Sequence, residues 1–443
     1  MRRRRAAVLA LAVLAGAARS ARAQDQRSAQ QIARDVIPDV ERAVGLTFKR
    51  APAIEVRSRE QVRGYLNREM AEAMPPRELA GVQRAYRAFG LVPDSLDLRR
   101  LMLDLYAEQV AGYYDPDSAA LFVVRGADPL VLKLILAHEL VHALQDEYTP
   151  LNAILKLRRQ NDRQMAGQAV AEGQATLASI EALAPGIDLD EALGSWDRVR
   201  DLIRQQQTAM PVFATAPAII REGLLFPYLA GAQFMRDFNA RRVRPDEEPY
   251  GDRMPISTAQ VLHPHVYTSR QAPLGVGFVR PAARDTLVYD DDFGEFETRI
   301  ALETWGVDTA DAVAAAAGWD GDRFEVLGAG GGTVVLWASA WTTPADADEF
   351  ERALVGGWGG GARAGAPGRP LGPGATGADY GAGAARRRWK VERVAVRGVA
   401  VVLLTDAPAG WDGWSVPARR RVTASAAPRA GVPAAAPRRA GRR

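Results

Sequence analysis

The chain has 443 residues, 47% of them apolar and 25% charged, which suits a globular protein of two domains or of one large domain with additions. Its net charge of +4 misleads about the body: the first 23 residues hold six arginines and no acid, residues 386–443 carry a net +11, and the stretch between is left at −13. An acidic body argues against nucleic acid as a partner, the absence of cysteine excludes disulfides and thiolate metal sites, and nothing after the first twenty residues is apolar for long enough to span a bilayer.

Arg2 to Arg5 precede an apolar stretch, Ala6 to Ala18, that is too short to cross a membrane, and Ala21-Arg22-Ala23 offers small residues where a signal peptidase reads. The expectation is a secretory signal peptide over 1–23, cleaved before Gln24, and a secreted or periplasmic mature protein without stable membrane insertion. Apolar residues then recur at helical spacing over 28–44 and 58–90, with a short strand around Ala53 to Val56 between them. Leu96 to Val110 reads as a helix, Gly112 to Asp117 as turn chemistry, and Leu121 to Val124 as a buried strand. The next helix is marked by Asp128 at its cap, Pro129 in its first turn and Pro150 beyond its end. Further helices are expected over 161–183, 189–207 and 217–240, the last interrupted at Pro227.

The central helix contains His138-Glu139-Leu140-Val141-His142. Histidines four residues apart lie on one helical face, with Cβ atoms roughly 5–6 Å from each other, so both rings reach one ion. The glutamate after the first histidine projects beside the metal without ligating it and can act as base toward water. His138 and His142 are therefore candidate ligands and Glu139 the candidate base. A catalytic zinc needs a third protein ligand and an open position. Glu172, in the small-residue helix Ala169-Val170-Ala171-Glu172-Gly173-Gln174-Ala175, suits that role, and by pattern alone it equally suits an amphipathic surface. Asp162 and Asp146 are candidates for orienting a ligand histidine through its other ring nitrogen.

The run Ala137 to Asp146, followed by Glu172-Gly173-x-Ala175, resembles gluzincin-type zinc metallopeptidases. More narrowly it is similar to a set of largely uncharacterised exported bacterial and archaeal proteins of that type. Their Gly-[Tyr/Phe]-Tyr-Asp-Pro block is matched by Gly112 to Pro116, and their Ser-Thr-x-Gln-[Val/Ile]-Leu-His-Pro block by Ser257 to Pro264. The blocks together cover roughly residues 95–270. The resemblance implies Zn2+ held by His138, His142 and Glu172, a peptide or protein substrate, and Leu121 to Val124 as an edge strand above the metal. Gln174 stands where such relatives commonly carry an acid. His263 becomes the leading candidate for stabilising an oxyanion, with Tyr267 and Tyr148 as alternatives, and His265 a surface residue. Tyr113 and Tyr114 are expected to pack rather than to react.

Later, 323–327 and 333–337 read as strands around a glycine turn, 345–354 as a helix, 356–385 as a glycine-rich loop, and 389–405 as a strand pair. Eight of the nine tryptophans fall in 291–415, where core packing explains them most simply. The expected fold is α+β: a largely helical, zincin-like metallopeptidase domain with a small edge sheet over 24–290, and a smaller accessory α+β unit over 291–415. A disordered basic tail is expected over 416–443. The function expected is an exported zinc metallopeptidase. A non-catalytic exported binding protein keeping the same fold, or a zinc hydrolase of non-peptide substrates, are the alternatives.

Overall fold

A computed structural model describes residues 22–425 apart from 127–128, 150–152, 155–156, 187–195, 245–246, 280–284, 330–331, 361–368 and 372–374. Most of the expected signal segment, the Asp128 cap, Pro150 and the end of the basic tail lie outside these residues. The first half of the chain runs α1 (Arg22–Val44), β1 (Ala53–Arg57), α2 (Arg59–Ala73), α3 (Pro76–Ala88), α4 (Leu98–Gln109), β2 (Gly112–Asp115), β3 (Ala120–Val124) and α5 (Pro129–Tyr148). Local chemistry marks several of these ends. Ser58 and Gln61 form a reciprocal capping box on α2, and Asp97 accepts from the Arg100 N–H to start α4. The Gly112 block is a strand rather than a turn, because β2 pairs antiparallel with β3 and the turn falls at 116–119.

The first sheet has the order β1-β3-β2, with β1 parallel to β3. Leu121 to Val124, expected at an edge, is thus the central strand, and β1 and β2 are the edges. All five β3 residues are buried, as a strand covered on both faces requires. One face holds Leu121 and Val123 against Leu136, Leu140 and Leu144 of α5 and Ala33, Val36 and Val40 of α1. The other holds Phe122 against Tyr113 and Val62.

The chain continues through α6 (Asn161–Leu183), α7 (Trp196–Thr208), α8 (Pro211–Thr215) and α9 (Ala218–Arg241). α9 runs through Pro227 without interruption; one backbone hydrogen bond is given up, and burial of Phe226, Pro227 and Tyr228 outweighs it. α6 and α9 cross at unusually short range. A Cβ on Gly173 would stand 2.2 Å from the Gly231 carbonyl, and one on Gly231 would stand 2.0 Å from the Ala169 oxygen. Only glycine permits that approach.

Two short helices, α10 (Thr258–Leu262) and α11 (Pro264–Ser269), lead to β4 (Gly275–Phe278) and β5 (Thr286–Asp291). Then come α12 (Gly294–Thr304), α13 (Thr309–Ala316), β6 (Trp319–Ala329), β7 (Gly332–Trp341), α14 (Pro344–Gly360), β8 (Arg369–Pro370), β9 (Thr376–Tyr380), β10 (Arg387–Val396), β11 (Val399–Pro408) and β12 (Val422–Ser425). Seven strands form an antiparallel sheet of order β5-β6-β7-β11-β10-β9-β8, so the molecule is mixed α+β. Strand alternation divides its core. Val335, Trp337, Val402 and Leu404 face the helices with Trp305, Phe350 and Trp358, while Ala338, Ala340, Val401 and Leu403 pack against Val422 and Ala418.

Three expected boundaries move. β4 pairs with β12 and β5 with β6, so the second unit draws on chain before residue 291. α14 extends to Gly360 and β9 joins the sheet, so the glycine-rich stretch is partly regular structure. Residues 418–425, assigned from composition to the tail, are ordered because Arg421 is buried and donates to Thr405 and Glu392. The tryptophans do pack: Trp305, Trp319, Trp337, Trp341, Trp358, Trp389 and Trp411 are all buried. One aromatic core joins both units, with Phe89 edge-on to Phe293 and Trp337, and the Trp305 indole donating to the Phe89 carbonyl. Among the described residues no helix is long and apolar enough to cross a membrane.

Candidate metal centre

α5 is buried on all sides from Ile135 to Gln145, which carries His138, Glu139 and His142 into the interior between the first sheet and α6. α6 brings Glu172 from the opposite side. His138 Nε2 lies 3.2 Å from Glu172 Oε2, His142 Nε2 lies 3.4 Å from the same oxygen, and the two Nε2 atoms are 3.2 Å apart. Histidine and carboxylate atoms that converge so tightly bear lone pairs that a single proton cannot satisfy along all three edges; one cation can. A triangle of these sides has a circumradius of about 1.9 Å, close to the 2.0–2.2 Å reach of zinc to nitrogen and oxygen. The donor set therefore fits a small divalent ion, and among the described residues it is the group of acids and histidines close enough to hold one.

Electrostatics within the cluster are strongly asymmetric. Burial would raise the Glu172 pKa, but His142 and then His138 hold it at about 2. Burial opposes protonation of His142, and the Glu172 and Glu139 carboxylates outweigh it, raising that ring to about 9. His138 is lowered, chiefly by burial. Glu139 is pushed up to about 7 by burial, with His142 and the Tyr114 N–H opposing and Glu172 adding. Glu139 does not join the triangle. Its Oε2 accepts from the Tyr114 backbone N–H at 2.8 Å, so strand β2 holds it beside the cluster.

A family model described as a domain of unknown function, DUF8575, matches residues 285–409. That segment is the chain from β5 to β11, the seven-stranded sheet with its helices, and it contains none of the four residues above. No curated protein and no solved structure matches the chain.

The remaining expected residues fall elsewhere. His263 Nε2 pairs with Glu295 Oε1 at 2.6 Å. Its helix α10 packs on the start of α6, where Asp162 accepts from the Thr258 N–H, about 15 Å along the helix from Glu172 at 1.5 Å per residue. His263 is thus a link between the two units, and among the described residues no hydrogen bond joins it to the cluster. The Tyr267 hydroxyl donates to the Arg253 carbonyl, and the exposed Tyr148 donates to the Thr47 carbonyl. His265 is exposed, as expected. Tyr113 packs, stacked between Tyr65 and Phe122. The oxygen at His142 Nδ1 is Gln145 Oε1 at 2.9 Å, and not a carboxylate of Asp146 or Asp162. Asp146 accepts from the Tyr114 hydroxyl, and Asp162 serves Thr258.

Two contributors escaped the sequence reading. The Tyr114 N–H is a backbone group, invisible to motif spacing. Tyr228 of α9 has its ring centroid 6.1 Å from that of His138. Its hydroxyl is buried beside the Glu172 carboxylate. Burial first, then Glu172 and Glu139, raise its pKa well above the ordinary value, so it remains a neutral O–H donor. The signal that would have pointed to it is the Gly173/Gly231 pair, which sets α9 against α6 one turn from Tyr228.

Proposed function

We propose that the chain is a zinc-dependent metallopeptidase with a zincin-like fold in its helical half. The observation that carries this reading is the convergence of His138 Nε2, His142 Nε2 and Glu172 Oε2, with Glu139 held beside them. Two imidazoles, one carboxylate and no thiol are a donor set suited to catalytic zinc, which keeps a position open to water or substrate. A bound zinc ion would supply Lewis acidity toward the scissile carbonyl and toward water. Glu139 takes the proton of the attacking water and passes it to the leaving amine, while the Tyr114 N–H fixes the carboxylate that receives it. Tyr228 O–H is the donor available to the oxyanion that develops on the carbonyl. A buried phenol that keeps its proton beside Glu172 is available to a charge that develops only during the reaction. The expected export signal is consistent with a peptidase acting outside the cytoplasm.

Metal analysis of the purified chain beside a peptide-library digest tests the reading, with Glu139→Gln in parallel. Stoichiometric zinc in both proteins, with cleavage by the wild type alone, is the expected result. A wild-type chain that takes up no zinc, or a Glu139→Gln variant that cleaves as well as wild type, would sink it.

A further inference from the structure

Gln145 lies one turn beyond His142 and is buried. Its side-chain nitrogen donates to the Ala171 carbonyl at 3.0 Å and to Gln174 Oε1 at 2.8 Å. A backbone carbonyl only accepts, so the amide nitrogen of Gln145 must face it. Gln174 is oriented in the same sense. Its nitrogen donates to Glu248 Oε2 at 2.9 Å, and its oxygen receives Gln145 together with the Tyr250 hydroxyl at 2.7 Å. Burial pushes Glu248 up to about 6, with Arg242, Gln174 and Arg253 opposing. The Ala171 carbonyl, which can only accept, therefore fixes Gln145 and, through it, Gln174 with one polarity. What is left at the far end is Gln145 Oε1, 2.9 Å from His142 Nδ1.

We propose that Gln145, locked by Ala171 and by the Gln174–Glu248 pair, is the positioning residue that keeps a proton on His142 Nδ1 and so reserves Nε2 for the metal. This rests on the reading of the cluster as a metal centre. An acceptor oxygen at Nδ1 must receive a hydrogen, whether the ring is neutral, protonated or coordinated at Nε2. His138 lacks such a device: its Nδ1 is buried with no hydrogen-bond partner among the described residues. Only one of the two rings is thus set by the protein before an ion arrives. The acceptor is also an amide where histidine ligands often have a carboxylate. An uncharged acceptor draws the Nδ1 proton less strongly, which leaves His142 a weaker electron donor and the ion correspondingly more acidic.

The test is nuclear magnetic resonance of the full chain with 15N-labelled histidine, joined to zinc affinity measured by chelator competition. Only four histidines are present, so each ring is assignable. His142 should show a slowly exchanging Nδ1–H proton both without metal and with zinc added. Gln145→Leu should abolish that resonance and weaken zinc binding about 10–100-fold. Absence of a protected Nδ1–H on wild-type His142 overturns the proposal and needs no variant. So does a Gln145→Leu protein, folded by circular dichroism, that binds zinc as tightly as wild type. If wild-type chain binds no zinc, the peptidase reading fails, while the proton on His142 still decides whether Gln145 holds the ring.

Discussion

Tyr228, which no motif marks, lies beside His138, while His263 pairs with Glu295. His263 sits in the Ser257 to Pro264 block, yet its ring is committed to Glu295, across the seam between α10 and α12. Tyr228 sits in no motif, yet its hydroxyl is buried and close enough to Glu172 and Glu139 to feel both. A donor aimed at developing charge acts mainly on the transition state, and removing one typically lowers kcat about 10²–10³-fold. Tyr228→Phe should show such a loss with zinc content unchanged. His263→Ala should keep kcat and lower the melting temperature instead. Steady-state kinetics, metal analysis and thermal melts of the two variants decide, and a large kcat loss in His263→Ala with normal stability would reverse the assignment.

At the scale of elements, the crossing of α6 and α9 is what brings Tyr228 to Glu172. The distance is set by glycine on both helices, and neither can accept a methyl group without backbone movement. Gly231→Ala would place a Cβ 2.0 Å from the Ala169 oxygen, and overpacking of this kind costs about 1–3 kcal/mol or more. The expected outcome is a lower urea midpoint together with loss of the proposed peptidase activity beyond what the residual folded fraction explains, since the helices separate where the tyrosine and the glutamate meet. A Gly231→Ala protein with wild-type stability would show that the close approach is unnecessary. Strand β2 works in the same way on the other side, delivering the Tyr114 N–H to Glu139 through its pairing with β3.

Across the whole molecule, the helical and sheet units are joined by buried carboxylates. Asp291 and Asp292 accept from the first N–H groups of α6, while Asp322 accepts from the Phe293 and Gly294 N–H groups at the start of α12 and from the indoles of Trp319 and Trp337. Burial raises Glu297 to about 8, Asp162 to about 7 and Asp322 to about 6, with neighbouring carboxylates adding at Glu297 and Asp162. Arg159 pairs with Glu78 and Asp290, and Arg323 with Asp290 and, at 4.0 Å, with Asp292. Folded pKa values above the unfolded ones mean that the native state holds more protons between them. The stability these groups contribute is then full below the ordinary carboxylate range and lost as pH rises through about 6 to 8. The melting temperature should fall from pH 5 to pH 9, and Glu297→Gln should flatten the upper part of that fall. A melting temperature that stays level or climbs across this range contradicts the account.

The helix carrying His138, Glu139 and His142, the helix over 161–183 and the candidacy of Glu172 were legible in the sequence, because each depends on spacing within one helix or on composition near a residue. A fixed rise and turn per residue makes positions i and i+4 neighbours in any helix. What the tertiary structure decided has no such local rule. It made Leu121 to Val124 central, because β1 and β2 pair on either side of it. It put Gln145 on His142 through contacts between α5 and α6, and tied His263 to Glu295 rather than to the cluster of His138, His142 and Glu172. It also ordered residues 418–425, whose composition reads as tail, through the burial of Arg421. Such outcomes turn on how closely two backbones approach and on which buried polar group finds a partner, and those are properties of the packed molecule.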